Sequence, residues 1–351
     1  MEKSTNHFAW KNWDFTRGKW PIILVLIVTL VLIWLGMYTK SKQPIRLVVY
    51  AFSTMEEALI EGIFPVFEQV WEDQNGRELT INGVFGPSGS LVGQINLGSP
   101  ADVAIVSNLR HIDWLKMGKM VENDTEPILI ASTPIVIITR EGNPSGISNF
   151  TDLGKTGLQI IHADPTSSGV GEWAILAEYG SVYLETGERI RAENQLNKIW
   201  KNVPLMGASA RTTLTLFNAG TCDVTVTYEQ DALLATSQES NIEIIIPPRT
   251  IIARHFAVVI DKNLSSTKKS AAQDLLSFML SEKGQQILSE YFFRPVGYTS
   301  ESHPNILYSF TEDDLGGWNQ AYEYLIDDYW KIEIQQNFQI ETIGIYEGVG
   351  E

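Results

Sequence analysis

Four segments of this chain place small hydroxyl residues immediately before a helical pattern, and three of the four also contain glycine. They are Ser53-Thr54, Gly86-Pro87-Ser88-Gly89-Ser90, Asp164 to Gly171 and Gly207 to Thr212. The first N–H groups of such a helix have no intrahelical acceptor and lie at the positive end of the helix dipole, an arrangement that binds anions. Ser and Thr also cap ordinary helices. Four such starts in one chain are more than capping alone leads us to expect.

The segments between these junctions alternate between strand-like and helical patterns from Arg46 onward. Alternation of this kind predicts a parallel sheet covered by helices. The buried-type runs Pro134 to Thr139 and Ile251 to Ile260 are interpreted as two strands that cross between lobes. The predicted organisation is a stub at 1–20, a transmembrane anchor at 21–38, a linker at 39–45, lobe I at 46–134 and 253–351, and lobe II at 135–252.

Two α/β lobes joined by two crossing strands enclose a cleft. Open parallel sheets bind ligands outside the carboxyl ends of their strands. The helix starts at Ser53, Ser88, Ser168 and Ser209 all lie at that edge in the predicted arrangement. The sequence therefore predicts an anion site between the lobes.

The run Pro21 to Tyr38 is almost wholly apolar, is flanked by aromatic residues, and has basic residues on both sides. This pattern indicates a single transmembrane helix. A small-residue cleavage site and a lipid-accepting cysteine are both lacking next to it, which favours a retained anchor over a removed signal peptide. A short stub before a large domain favours an extracytoplasmic domain on a single-pass membrane protein.

The chain has 26 basic and 42 acidic residues, of which 7 and 2 precede residue 47, so the remainder carries a formal charge of −21. A surface this negative argues against nucleic-acid binding and gives no long-range attraction to an anion. Short-range neutral donors would have to hold the ligand.

Catalysis is not expected. The serines Ser88 and Ser168 lack the flanking glycines of a nucleophile elbow, and the chain has no phosphate-binding loop of the Gly-x-x-x-x-Gly-Lys type. The five histidines have no metal-ligand spacing, so we predict neither a metal nor a cofactor.

The chain resembles the periplasmic sulfate-binding proteins of ABC transporters, which have the two-lobed type II periplasmic binding protein (Venus flytrap) fold. The resemblance spans about residues 46–330 and rests on six ordered segments. They are Gly86-Pro87-Ser88-Gly89, Asp164-Pro165-Thr166-Ser167-Ser168-Gly169, Tyr228 to Thr236, Ile252-Ala253-Arg254, Tyr291 to Pro295, and Leu315-Gly316-Gly317-Trp318.

This resemblance implies capture of a tetrahedral oxyanion, sulfate or thiosulfate, and its delivery to ABC permease subunits after the lobes close. It implies that Ser88 and Ser168 donate hydroxyl and amide hydrogens. The other ligand-binding residues that it implies are Gly169, Val170, Ser209 and Tyr228, and a likeness to molybdate and tungstate binders adds Ser53 and Ala210. A fully ionised dianion only accepts hydrogen bonds, so neutral donors and helix ends are sufficient to hold it.

Two positions depart from the sulfate-binding pattern. Ser53 and Tyr228 resemble the molybdate and tungstate binders, and in that alignment Ala210 rather than Ser209 is the backbone donor. Two alternatives therefore stand beside sulfate: a molybdate or tungstate binder, and a tethered anion sensor without a transport role. The acids Glu172 and Glu229 are interpreted as first-turn or surface residues.

Overall fold

The computed structural model describes residues 20–41, 43–238, 241–262, 264–297, 303–338 and 340–343. The predicted stub at 1–20 therefore lies almost wholly outside the described residues. Helix α1, Trp20–Ser41, comes first. Among the described residues, no helix combines the length and hydropathy required for a membrane span.

Within the described residues, one mixed sheet of eleven strands runs through the molecule. The strands are β1 Ile45–Phe52, β2 Leu79–Gly86, β3 Val103–Val106, β4 Ile128–Arg140, β5 Ile160–Ala163, β6 Leu205–Gly207, β7 Val224–Tyr228, β8 Ile242–Ile245, β9 Arg249–Val259, β10 Tyr308–Phe310 and β11 Glu341–Ile343. The order is β11-β6-β5-β7-β4-β9-β3-β1-β2, with β10 on β9 and β8 on β4. The continuous order already shows two halves that meet at β4 and β9.

The helices that cover the sheet follow the predicted alternation. They are α2 Phe64–Asn75, α3 Ser88–Asn96, α4 Leu109–Met117, α5 Gly169–Thr186, α6 Arg189–Trp200, α7 Ala210–Asn218, α8 Glu229–Ser237, α9 Ser266–Leu280, α10 Glu282–Glu290, α11 Gly317–Tyr322 and α12 Gln336–Phe338. Other helix types also occur, including the short 3₁₀ helix Ser53–Met55 and the longer π-helical segment Glu323–Gln335. The fold is thus a two-lobed α/β fold, as the sequence predicts.

The crossing strands are β4 and β9. The first half of β4 pairs antiparallel with β9 up to Pro134, and from Ile135 the same strand pairs with β7 of the other lobe. Within each lobe the strands that precede the anion-type junctions are parallel, as β1 is to β2 and β5 is to β6. Parallel pairing brings their carboxyl ends, and hence the helix starts, to one edge.

The C-terminal segment differs from the predicted arrangement. Residues 308–310 pair with β9, but β11 pairs in parallel with β6 in lobe II. Thr342 also donates a hydrogen bond to Asp164 in the loop before α5, with an Oγ1 to Oδ2 distance of 2.7 Å. The segment assigned to lobe I from the sequence therefore ends on lobe II, because β6 offers it a free strand edge. The other lobe boundaries stay a prediction.

Candidate functional site

All four junctions, together with the end of β7, contribute to one small cavity between the lobes, of about 10 Å³. It is lined by Phe52, Ser53, Gly86, Pro87, Ser88, Ser107, Ser168, Gly169, Val170, Ala210 and Tyr228. The Gly207 to Thr212 junction contributes Ala210 to this lining. Of the eight residues predicted to bind the ligand, seven line the cavity.

Ser209 is the predicted residue that does not line it. Its Oγ accepts a hydrogen bond from the backbone N–H of Thr212 at 3.0 Å, and it is the N-cap of α7. The next residue, Ala210, opens the helix and has its N–H at the first position, where no intrahelical acceptor exists. The structure therefore places Ala210 at the cavity and uses Ser209 as its cap.

The loop before α5 is held by the side chain of Asp164. Its Oδ1 accepts from the N–H and the hydroxyl of Thr166 at 2.8 and 2.6 Å. The backbone oxygen of the same residue accepts from the N–H of Ser168 at 2.8 Å, so the amide of Ser168 is already engaged. The Ser168 hydroxyl makes no capping bond to the helix and is buried at the cavity wall.

Gly169 and Val170 form the first turn of α5, so helix geometry leaves their N–H groups without an acceptor in the helix. Gly169 also lies against the opposite lobe. A Cβ built at this glycine would be 1.7 Å from Ser107 Oγ and 2.5 Å from Ser107 Cβ. Only glycine fits here while the lobes are in this position.

Ser88 and Ser107 share a buried hydrogen-bond network with His111. Ser88 Oγ accepts from the N–H of Ser107 at 3.1 Å and lies 3.2 Å from His111 Nδ1. The Ser107 hydroxyl lies 3.3 Å from the same nitrogen. One imidazole nitrogen thus lies within hydrogen-bond distance of two hydroxyls at the cavity wall.

Tyr228 ends β7 and caps α8, and its side chain is 1% exposed. Among the described residues, its hydroxyl has no hydrogen-bond partner of normal geometry. Burial, together with the negative charge of Glu172, holds the pKa of Tyr228 well above its usual value of 10. The group therefore stays protonated at neutral pH and offers one O–H donor at the cavity.

Phe52 and His255 pack around Tyr228. The ring centroid of His255 lies 4.6 Å from that of Phe52 and 5.1 Å from that of Tyr228. Burial lowers the pKa of His255 to about 3, while its bond to the backbone oxygen of Ser107 acts in the opposite direction. The imidazole is therefore neutral, and the packing fixes the phenol ring without adding charge.

The two acids expected in first turns or on the surface are both buried. Glu172 is 1% exposed and accepts from Asn108 Nδ2 of the other lobe at 2.5 Å, with His111 Nε2 at 3.4 Å. Glu229 is fully buried in a two-pronged ion pair with Arg294, with both distances 2.8 Å. The surface interpretation is wrong for both, because each finds a donor far away in the sequence. Neither lines the cavity.

Direct contacts join the lobes around the cavity, so the structure shows a closed arrangement. The N–H of Gly89 donates to the backbone oxygen of Ser167 at 3.0 Å. Arg211 of lobe II forms an ion pair with Glu57 of lobe I, with Nη2 and Oε2 2.6 Å apart. No charged side chain of the described residues lines the cavity, which is walled by hydroxyls, helix starts and apolar groups.

A larger cavity of about 600 Å³ lies on lobe I, at the opposite ends of β1 and β3. Two of the charged groups there are paired with each other, since Lys268 Nζ lies 2.7 Å from Asp102 Oδ2. It holds none of the predicted anion-binding residues, so the small cavity is the better candidate despite its size. Within the described residues, no group of three or more His, Cys, Asp or Glu is placed to hold a metal ion.

Ser107 and Phe52 were missed by the sequence analysis. Ser107-Asn108 follows β3 and precedes α4, and therefore has the same strand, hydroxyl and helix pattern as the predicted junctions. That pattern was a usable signal. Phe52 carries no such signal, because a large apolar residue at a strand end is indistinguishable from core.

The family profile described as "Bacterial extracellular solute-binding protein" matches residues 47–294. The sulfate-binding protein of Synechococcus elongatus is 29% identical over 310 residues, covering 84% of this chain and 88% of that protein. The thiosulfate-binding protein of Pseudomonas aeruginosa is 26% identical over 275 residues, covering 73% and 82%. The solved sulfate-binding protein SubI from Mycobacterium tuberculosis H37Rv superposes with a TM-score of 0.75 at 24% identity, covering 81% of this chain and all of that one.

Proposed function

Because this chain belongs to the bacterial extracellular solute-binding proteins, we propose that it captures a tetrahedral oxyanion, sulfate or thiosulfate, in the cavity between its lobes and delivers it to an ABC permease. It is a binding protein and not an enzyme. The names of the two relatives described above support this choice of ligand.

The observation that carries the proposal is the donor set of the cavity. Ser168 and Tyr228 with their hydroxyls, Gly169, Val170 and Ala210 with their helix-start amides, and the Ser88 junction all line one small volume. Each of these groups is neutral and can donate. A dehydrated dianion is stabilised by such donors without a counter-ion, since each hydrogen bond to a charged acceptor contributes more than a neutral one.

The same donor set disfavours hydrogen phosphate. A protonated oxygen on the ligand needs an acceptor, which is usually a carboxylate. The nearest buried carboxylate, Glu172, is occupied by Asn108 and His111 and does not line the cavity. A ligand proton placed among donors would lack a partner and would cost binding free energy.

We extend the proposal to membrane attachment through residues 21–38, with the two lobes on the extracytoplasmic side. The support is the apolar sequence of α1, whose side chains from Pro21 to Trp34 are exposed. A tethered binder stays close to its permease, which raises its local concentration there.

A second candidate ligand is molybdate or tungstate. The cavity contains Ser53 and Tyr228, the two positions that differ from the sulfate-binding pattern, and it contains Ala210 rather than Ser209. These anions are also fully ionised and tetrahedral, so the same donors would hold them. The difference between the candidates is the radius of the pocket.

Isothermal titration of a fragment starting at Ile45 separates these ligands. Sulfate, thiosulfate, molybdate, tungstate and phosphate are titrated in separate runs. We expect saturable 1:1 binding of sulfate or thiosulfate and much weaker binding of phosphate. Preference for molybdate or tungstate would select the second candidate, and silence from all five anions would refute oxyanion capture.

A further inference from the structure

We propose that Arg211 is a switch arm which bonds to Glu57 when the lobes are closed and to Asp231 when they are open, so that Asp231 promotes opening and release. This inference rests on the proposed function for its ligand, but its geometry lies outside the anion cavity. Asp231 would be a positioning residue that acts through Arg211.

Arg211 and Asp231 line the same cavity, which has a volume of about 150 Å³ and lies between α7 and α8 on lobe II. Arg211 is the second residue of α7 and directly follows Ala210, which lines the anion cavity. Asp231 lies in the first turn of α8, the helix that begins directly after Tyr228. The cavity therefore lies next in sequence to two residues of the proposed anion site, Ala210 and Tyr228.

In the closed arrangement the guanidinium of Arg211 is turned towards the other lobe. Its Nη2 lies 2.6 Å from Glu57 Oε2, while its Nε is buried and, among the described residues, has no acceptor. Both side chains of this pair are about one-fifth exposed. Arg211 is thus bonded to Glu57 through Nη2, while its Nε–H lacks a hydrogen-bond acceptor among the described residues.

Asp231 is the group that this arrangement leaves behind. It is 1% exposed, and among the described residues its Oδ1 has no donor. Its Oδ2 is only 3.4 Å from Thr227 Oγ1, which is a long hydrogen bond. Burying a carboxylate without a close partner raises the free energy of the closed form. Rotation of Arg211 into the cavity would lower it by pairing the guanidinium with Asp231.

The titration behaviour of the cluster agrees with this geometry. Burial raises the pKa of Asp231 to about 6; the charge of Arg211 opposes this rise, and the charge of Glu57 adds to it. Burial acts to lower the pKa of Arg211, but the charges of Asp231, Glu57 and Glu56 raise it overall. Asp231 and Glu57 thus compete for one cation from opposite lobes.

The competition predicts how binding depends on pH. A carboxyl whose pKa is raised in the closed form binds its proton more tightly there than in an open form where Arg211 pairs with it. Closure therefore takes up a proton, and sulfate, which does not titrate in this range, should bind more weakly as the pH rises from 5 to 7.5. The groups that face Asp231 are Arg211, Glu57 and the Thr227 hydroxyl.

The test uses the full chain in detergent and compares wild type with Asp231→Asn and with the smaller variant Asp231→Ser. At pH 7.5 we expect both variants to release sulfate about tenfold more slowly, which corresponds to one unit of pKa, and to lose the pH dependence. Asp73→Asn, an exposed residue on lobe I, removes the same charge without changing the cluster and should match wild type.

A second measurement does not need the ligand. Spin labels at Lys201→Cys in lobe II and Lys283→Cys in lobe I report the distance between lobes by double electron–electron resonance. Both lysines are exposed, whereas Cys222 is buried and burial raises its pKa to about 11, so it resists labelling. In the ligand-free protein, Asp231→Asn and Asp231→Ser should shift the population towards the closed distance.

The outcomes are separable. If wild type binds none of the oxyanions, the proposed function fails, while the spin-label distances still decide the switch. Unchanged interlobe distances in both Asp231 variants, or sulfate release as fast as in wild type, would overturn the role of Asp231.

Discussion

Substituting Gly169 by alanine should block closure of the lobes without unfolding either of them. The added Cβ would lie 1.7 Å from Ser107 Oγ and 2.5 Å from Ser107 Cβ, whereas real Cβ contacts are essentially never under 3.0 Å. Rotating the Ser107 hydroxyl removes only the first clash, because Cβ of Ser107 does not move with it. The lobes must therefore separate by about half an ångström or more, which takes the Tyr228 and Ser88 donors away from the ligand.

Overpacking of this kind costs about 1 to 3 kcal/mol, which corresponds to roughly a 5-fold to 150-fold rise in Kd for the anion. The assay is isothermal titration with sulfate, together with thermal unfolding of the ligand-free fragment. The unfolding temperature should change little, because residue 169 lies in a first helical turn and makes its close contact only across the cleft.

The matched control is Gly93→Ala in α3, where an added Cβ has no atom within 4 Å. Alanine in a helix interior is favoured over glycine, so this variant should bind normally and gain about 0.5 to 1 kcal/mol of stability. Ser107→Gly removes both clashing atoms. In a double-mutant cycle, it should therefore restore at least part of the affinity lost in Gly169→Ala. Normal binding by Gly169→Ala alone, or no coupling to Ser107, would refute the interlobe contact.

Three further outcomes are expected. Tyr228→Phe should weaken anion binding by about 1 to 3 kcal/mol, because it leaves one anion oxygen without its donor; unchanged affinity in titration would make Tyr228 a packing residue. Ser168→Leu should abolish binding while circular dichroism shows an intact fold, and retained affinity would remove Ser168 from the site. The pKa of His255 is about 3 in the folded protein and about 6.5 in the unfolded chain, so the free energy of unfolding should fall as the pH drops below 6.5, by about 2 kcal/mol at pH 5. In urea titrations at several pH values, His255→Asn should lose this pH dependence. The same pH dependence in the variant would exclude His255 as its source.

The sequence predicted the parts of this site that depend on local order. A hydroxyl before a helix and after a strand is a local pattern, and parallel pairing then brings such patterns to one edge, so Ser88 and Ser168 could be placed in one cleft. Tyr228 was implied by the family resemblance alone. The crossing strands were predictable for the same reason, because Pro134 to Thr139 reads as a buried strand by itself.

The parts that the sequence could not predict depend on partners far apart in the chain. Glu172 looks like an ordinary first-turn acid until Asn108, 64 positions earlier, is placed against it. The choice between Ser209 and Ala210 depends on which residue takes the cap, and the pairing of β11 with β6 depends on a strand edge left free in the finished sheet. Local patterns contain none of this information.

The most direct test of the central claim is a crystal structure of the fragment from Ile45 grown with sulfate. We expect one sulfate ion between the lobes, with its oxygens about 2.6 to 3.0 Å from Tyr228 Oη, Ser168 Oγ and the amides of Gly169 and Val170, and with no lysine or arginine in contact. A sulfate ion held by basic side chains elsewhere, with the interlobe cavity holding only water, would contradict it.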